Sequence, residues 1–251
     1  MKKNFLTVMI YAAILPIFFT CGAFAAQPPG GGNSNIAGVW LAMNTRNPGA
    51  FDHIIFYEDG TFRFLIPAQG LYEFDKEQDR INNQGSNVWG AYTFDGSTGT
   101  WKYDSAKAES KITPEKNGGL NLGSSYTTFY RCHSVDGYRF DGSYTSNGDT
   151  SNPDLSKPGE KAVIRFKSDG TFIDEGLFAR IHQWLGSSID KTKEDYTPGS
   201  GTYELKDFSL ILRYSDGRTI QTCFTFGMGP NSNDASGYVL IDNRAVLWKM
   251  P

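Results

Sequence analysis

Two stretches of the chain share one pattern of apolar and polar positions. Residues 52–65, DHIIFYEDGTFRFL, and residues 161–176, KAVIRFKSDGTFIDEG, align on a common Asp-Gly-Thr-Phe, which places Phe56 on Phe166. In both stretches apolar residues recur at every second position on each side of the turn, as they do in strands that bury a face. The pattern predicts an internal repeat in which each copy contains the same strand–turn–strand hairpin.

The length of the hairpin loop decides which face each side chain takes. With a two-residue loop, Phe56 would pair with Arg63 and would face away from Phe62. A three-residue loop over 58–60, with its glycine left-handed in a bulged turn, keeps Phe56 and Phe62 on one face. The same reasoning favours three-residue loops in two later hairpins, at 168–170 and within 210–226.

Composition supports an all-β interpretation. Aromatic residues make up 14% of the 251 residues, and there are 28 glycines and 13 tyrosines, which favour strands joined by tight turns. The length suits two small domains, each with its own core. The repeats are expected over 36–133 and 138–251, and because only 134–137 separate them, they are expected to abut.

One long connection in the second repeat has the pattern of a helix. After Asp174, apolar residues recur at helical spacing, at Leu177, Phe178, Ile181, Trp184 and Leu185. The pattern predicts a short amphipathic helix, which could either plug one end of a sheet or barrel or act as a gate for a ligand. In the first repeat, the corresponding connection has only a weak apolar stripe, and no more than a helical turn is expected there, near 71–74.

The N-terminus has the three parts of a secretory signal. Lys2 and Lys3 precede an apolar run from Phe5 to Phe19, and Ala23-Phe24-Ala25 forms a small-x-small cleavage site. The prediction is a signal peptide over 1–25, a flexible leader over 26–35 and a secreted or periplasmic protein. Lipid attachment at Cys21 is the alternative, but the residues before Cys21 are not the small ones that a lipobox usually carries.

The charge of the mature chain excludes one class of partner. Removal of Lys2 and Lys3 with the signal takes the formal charge from −3 to −5, and a mildly acidic protein has no basic surface that would bind nucleic acid.

Cys132 and Cys223 would remain in the mature chain. An oxidising compartment permits a disulfide between them, and two half-buried thiols are the alternative.

Several short motifs together resemble a known family. They are Gly-x-Trp at 38–40, the Phe-x-x-Asp-Gly-Thr-Phe hairpin, Gly-x-Tyr at 90–92, and closing strands with Tyr130-Arg131 or Trp248-Lys249. The chain is similar to the small lipocalin-like, calycin-type domains of exported bacterial proteins, here in tandem. The resemblance implies two consecutive small antiparallel up-and-down barrels of eight strands, each able to be packed or to hold one small ligand.

The resemblance also assigns structural roles. It implies that Trp40 on the first strand packs against Arg131 on the last strand, with the cation over the indole face. In the second repeat the equivalents would be Tyr144 and Lys249, a weaker pair because an ammonium lacks the planar surface of a guanidinium. This copy departs from the pattern, because Tyr144 stands where the tryptophan is expected.

Catalytic motifs are missing from the sequence. It contains no Gly-x-Ser-x-Gly, no His-Glu-x-x-His, no Cys-x-x-Cys and no phosphate-binding glycine loop. The three histidines, His53, His133 and His182, do not have the local spacing of a metal site. The sequence therefore predicts neither an enzyme nor a metal or cofactor.

The function expected from these observations is the binding of a small apolar or amphiphilic molecule in a β-barrel. The expected ligand contacts are Leu177, Phe178, Ile181 and Trp184 on the helix, with Phe166 and Phe172 below them. The alternative is a surface or assembly module whose packed barrels present polar loops, at 145–161, 187–198 and 229–236, to a protein or glycan. No transmembrane segment is expected in the mature chain, because charged residues such as Arg165 would face the lipid of a membrane barrel.

Overall fold

The structure, a computed structural model, describes residues 36–44, 51–123, 128–146, 163–178, 197–226, 238–241 and 245–250. These residues form sixteen strands and one α-helix, so the all-β class predicted from composition is confirmed. The strands belong to two antiparallel groups of eight. The predicted signal peptide and leader lie outside the described residues, as does most of the predicted helix of the second repeat.

The first group is an eight-stranded sheet with the order β7-β6-β5-β4-β3-β2-β1-β8. Its two end strands come together, because Leu120 and Phe129 exchange a pair of 2.8 Å backbone hydrogen bonds. The strands are β1 Gly38–Met43, β2 Phe51–Phe56, β3 Thr61–Phe64, β4 Trp89–Phe94, β5 Gly99–Tyr103, β6 Ser110–Pro114, β7 Leu120–Asn121 and β8 Tyr130–Arg131.

The second group is a closed barrel with the order β10-β11-β12-β13-β14-β15-β16-β9. Closure comes from β16, which pairs with β9. The strands are β9 Gly142–Ser146, β10 Val163–Phe166, β11 Thr171–Asp174, β12 Gly199–Lys206, β13 Ser209–Tyr214, β14 Thr219–Phe226, β15 Tyr238–Ile241 and β16 Ala245–Lys249.

The repeated hairpins have the predicted three-residue loops. Phe56 lies opposite Phe62, and Gly60 is left-handed with φ of 80°. Asp59 stabilises the turn, because its Oδ1 accepts hydrogen bonds from both the backbone N–H and the hydroxyl of Thr61. The β10–β11 hairpin repeats this arrangement, and the register of β13 on β14 fits a loop of the same length.

The one α-helix, α1 Lys76–Asn82, lies in the connection where only a helical turn at 71–74 was predicted. Its side chains bury no apolar stripe, which is why periodicity did not reveal it. Polar contacts hold it instead. Asp75 caps its start, and Asp79 accepts hydrogen bonds from Arg63 Nε at 2.9 Å and Trp89 Nε1 at 2.8 Å on the outer face of the first sheet.

The outer face of the first sheet packs directly on the second barrel. Val39, Ile55 and Ile66 form an apolar cluster with Cys223 of β14, and all six residues of β2 are buried because both of its faces are covered. The connection after β3 also docks there, since Cys223 N donates to the carbonyl of Ala68 at 2.6 Å. The repeats therefore abut, as their short spacer predicts.

Candidate functional site

Four of the six residues predicted to hold a ligand lie together in the core of the second barrel. They are Phe166, Phe172, Leu177 and Phe178, and each exposes 2% or less of its surface. The other two, Ile181 and Trp184, lie outside the described residues. A ligand site beneath the helix therefore stays a prediction, and its described part is tightly packed.

Asp174 begins the helical turn that contains Leu177 and Phe178. Its Oδ1 accepts hydrogen bonds from the backbone N–H of Leu177 at 2.7 Å and of Gly176 at 3.0 Å. Its Oδ2 accepts one from the Tyr214 hydroxyl at 2.8 Å. Burial still raises the pKa of Asp174, against the effect of these bonds. The carboxylate has a complete structural role as a helix cap.

Aromatic rings fill the interior of the second barrel. The Phe166 ring centroid lies 4.9 Å from that of Phe140 and 4.8 Å from that of Tyr203, and Phe140 lies 5.5 Å from Phe224. These are distances of direct ring contact. Side chains around a space large enough for a ligand would keep accessible surface, whereas the buried core side chains described here expose 7% or less. They pack on one another.

Aromatic rings fill the middle of the inner face of the first sheet. Trp40, Phe56, Phe62 and Trp101 form this central layer and are all buried. Gly90 permits the close packing, because a Cβ atom there would lie 2.5 Å from the Phe62 ring. The central layer therefore separates the two ends of the inner face from each other.

Both ends of that inner face carry half-buried aromatic rings. Phe64 and Tyr103 lie at one end, with ring centroids 6.1 Å apart, and Tyr92 and Phe94 lie toward the other. The two ends lie roughly 20 Å apart along β4. Phe64 pairs with the residue just before β4, and Phe94 is the last residue of that strand. None of these four residues was predicted from the sequence to contact a ligand.

At the end that carries Phe64 and Tyr103, a carboxylate also faces the inner side of the first sheet. Asp52 lies opposite Ala42 and two residues before Ile54, both of which belong to the inner cluster, so strand alternation turns it inward. It is 7% exposed, and Asn44 Nδ2 donates to its Oδ2 at 2.9 Å. Burial raises the pKa of Asp52, and the bond from Asn44 offsets part of that effect.

We call Asn44, Asp52, Phe64 and Tyr103 the Asp52 cup. It combines two half-buried aromatic rings with one buried carboxylate on the inner face of the sheet, at one end of the central layer. Concave apolar surfaces with a few convergent polar groups are the usual form of a small-molecule site.

Trp40 and Arg131 lie side by side on neighbouring strands. The guanidinium carbon is 5.2 Å from the indole centroid, and Arg131 Nη2 donates to the carbonyl of Ala37 at 2.7 Å. Burial lowers the pKa of Arg131. In the second repeat Tyr144 is buried and lies opposite Lys249, but Lys249 is exposed. The contact between Trp40 and Arg131 ties β1, the first strand of the first sheet, to β8, its last strand.

The two cysteines lie at the contact between the repeats. Both are thiols in the structure, and both pack against the cluster of Val39, Ile55 and Ile66. Burial raises the pKa of the Cys132 thiol to about 12, although the residue as a whole is half-buried. A thiol with so high a pKa is a poor nucleophile at neutral pH.

The described residues hold no group of three metal-ligating side chains. His53 is buried between the repeats, His133 is exposed, and His182 lies outside the described part. Within that part, no helix has the length and apolar character needed to cross a membrane.

No family model, curated protein or solved structure matches the chain. The resemblance to lipocalin-like domains therefore stays a prediction, carried by the short motifs of the two repeats.

Proposed function

We propose that the chain is an exported, non-catalytic binding protein that holds a small apolar or amphiphilic molecule in the Asp52 cup. The observation that carries this proposal is the half-burial of Phe64 and Tyr103 on an inner face whose central layer is fully packed. We also propose that the first sheet and the second barrel are two lipocalin-like up-and-down barrels. The eight-stranded meander order of each supports this assignment.

Aromatic rings at an inner sheet face provide binding energy when a ligand covers them. Burial of apolar surface stabilises a complex by about 25 cal/mol per Å², so covering about 100 Å² of ring surface contributes about 2.5 kcal/mol. Part of this is offset by the lost freedom of the ligand. In the described part of the second barrel the core rings are buried, and the half-buried rings packed against them are Tyr138 and Phe208.

Ligand extraction and a matched pair of variants test this proposal. Natively purified protein is extracted with solvent and the extract is analysed by mass spectrometry, and amphiphiles are then titrated while Trp fluorescence is followed. Trp101 reports on the cup because its ring centroid lies 5.2 Å from that of Tyr103. Phe64→Ala is expected to weaken binding at least tenfold.

Phe94→Ala is the matched control, because Phe94 is also half-buried and lies toward the other end of the same sheet. It is expected to bind as the wild type does. Phe178→Ala addresses the site predicted beneath the second-repeat helix. If Phe178→Ala removes binding and Phe64→Ala does not, the ligand belongs to the second barrel.

Export is tested by the intact mass of the protein recovered outside the cytoplasm. A mass that corresponds to a chain beginning at Ala26 is expected. A chain that begins at Cys21 and carries acyl groups would instead establish the lipid-anchored alternative, and a chain that begins at Met1 would contradict export.

An interaction module is the second candidate function. The packed core in the described part of the second barrel favours it, because those core side chains contact one another directly. The loops that would meet a partner, 145–161, 187–198 and 229–236, fall largely outside the described residues. Recovery of no compound from native protein, together with no binding of any amphiphile, would favour this account.

A further inference from the structure

Asp52 is an unusual residue for its position. Its neighbours on the inner face of β1 and β2, Ala42 and Ile54, are fully buried apolar residues, and Asp52 itself is more than nine-tenths buried. Removing a carboxylate from water is costly unless a cation or several hydrogen bonds compensate it. A neutral side chain at this position would avoid that cost.

The compensation within the described part of the chain is incomplete. Asn44 donates one hydrogen bond, to Oδ2, and none of the described ion pairs involves Asp52. Burial accordingly outweighs the bond from Asn44, and the pKa of Asp52 lies above its ordinary value. The carboxylate has the capacity to accept a further donor, preferably a charged one.

The aromatic rings at the same end of the inner face favour the same kind of partner. Phe64 is the diagonal neighbour of Asp52 on the adjacent strand, because Phe64 lies opposite Ile54. Tyr103 lies next to Phe64, with the two rings nearly perpendicular at 83°. The faces of aromatic rings attract cations, and the attraction is larger where water is partly excluded.

We propose that the Asp52 cup binds a small organic amine in its protonated form, with an ammonium that donates to Asp52 and an apolar body that lies against Phe64 and Tyr103. This inference rests on the proposed function and names its ligand class. A fatty acid or other anionic amphiphile is disfavoured, because its head group would meet a buried carboxylate. A neutral amphiphile gains the apolar contacts but leaves Asp52 without a charged partner.

A series of ligands with one chain and three head groups tests the proposal. Octylammonium, octanol and octanoate are titrated into the full-length protein at pH 7 by calorimetry. Octylammonium is expected to bind at least tenfold more tightly than octanol, and octanoate more weakly than either. Equal affinities of octylammonium and octanol would overturn the amine proposal but leave the proposed function standing. If none of the three ligands binds and no compound is extracted from native protein, both the amine proposal and the proposed function are contradicted.

Two variants test whether the preference for octylammonium over octanol depends on Asp52 and on the aromatic rings. Asp52→Asn keeps the shape and removes the charge, so it is expected to abolish the preference for octylammonium while octanol still binds. Tyr103→Leu keeps the carboxylate and removes one ring, so it is expected to reduce the preference only in part. Persistence of the full preference in Asp52→Asn would overturn the proposal.

Asp104→Asn is the matched control. Asp104 follows Tyr103 directly, is exposed and pairs with Arg80, so its loss changes the local charge equally without altering the cup. It is expected to retain the preference. Loss of the preference in both variants would show that general electrostatic attraction, and not a site at Asp52, selects the amine.

Discussion

His53 Nε2 lies 3.2 Å from the Thr225 hydroxyl, and the two residues belong to different repeats. His53 has no exposed surface, although it is separated from Thr225 by 172 positions in the chain. The contact is one of several polar links between the repeats, beside the apolar cluster that includes Val39, Ile55 and Cys223. Stability of the first repeat is therefore coupled to the presence of the second.

Replacement of His53 by alanine is expected to destabilise the whole protein. The substitution removes the partner of the Thr225 hydroxyl and opens a cavity, so the free energy of unfolding should fall by about 2–3 kcal/mol. Urea denaturation followed by Trp fluorescence measures the change. His133→Ala is the control, because His133 is exposed and its loss should cost under about 0.5 kcal/mol. Similar losses in the two variants would contradict a buried link at His53.

Trp40→Ala is expected to cost about 3–5 kcal/mol of unfolding free energy, because the indole is buried and its Nε1 donates to the carbonyl of Ile36 at 2.8 Å. Arg131→Lys should cost about 0.5–1.5 kcal/mol, since the guanidinium lies over that ring. Lys249→Ala, at the corresponding exposed position of the second repeat, is the control. An unchanged denaturation midpoint in Trp40→Ala would show that the ring is not part of the core.

Asp52→Asn is expected to stabilise the ligand-free protein at neutral pH. The folded-state pKa of Asp52 lies above the ordinary value of 3.8, so the folded protein binds this proton more tightly than the unfolded chain does. The stability of the wild type therefore falls as the pH rises from 3.8 through that folded-state pKa, and the loss is complete above it.

The Asp52→Asn variant does not lose stability in this way, so its free energy of unfolding should exceed that of the wild type by the largest amount at pH 7. This difference should shrink as the pH falls through the folded-state pKa. Parallel urea titrations of both proteins at several pH values measure the difference. A pH-independent difference would contradict a raised pKa at Asp52.

The Cys132 thiol is expected to react slowly in the folded protein. Its pKa of about 12 leaves a very small thiolate fraction at pH 8, and the thiolate is the reactive form. Iodoacetamide labelling followed by peptide mass spectrometry should be orders of magnitude slower in buffer than in urea. Rapid labelling of the native protein would contradict burial of the thiol. Labelling in urea that requires prior reduction would identify a disulfide with Cys223.

The sequence was most informative where a local rule acts alone. The Asp-Gly-Thr-Phe turn has fixed chemistry, so the register of Phe56 on Phe62 could be derived from loop length. The helix α1 was missed because its stability comes from the Asp75 cap and from Asp79 contacts to the sheet, which leave no apolar periodicity.

The Asp52 cup was harder to foresee. Asp52 lies two residues before the apolar run that begins at Ile54. Its inward orientation follows from the parity of Ile54 and Phe56, which was available from the sequence, but its hydrogen bond from Asn44 depends on how β1 pairs with β2. The ring pair of Phe64 and Tyr103 likewise depends on how three strands align.

The contact between the repeats has a consequence for self-assembly. It joins the outer face of β2 to β14 of the other repeat, so it is a head-to-tail contact that could in principle continue from copy to copy. In the repeat alignment, however, Ile55 and Tyr57 correspond to Arg165 and Lys167, which are exposed, and Arg165 pairs with Glu175 at 2.8 Å. A further copy of this contact would have to bury these charges, so the second repeat does not offer the apolar face that the first repeat uses.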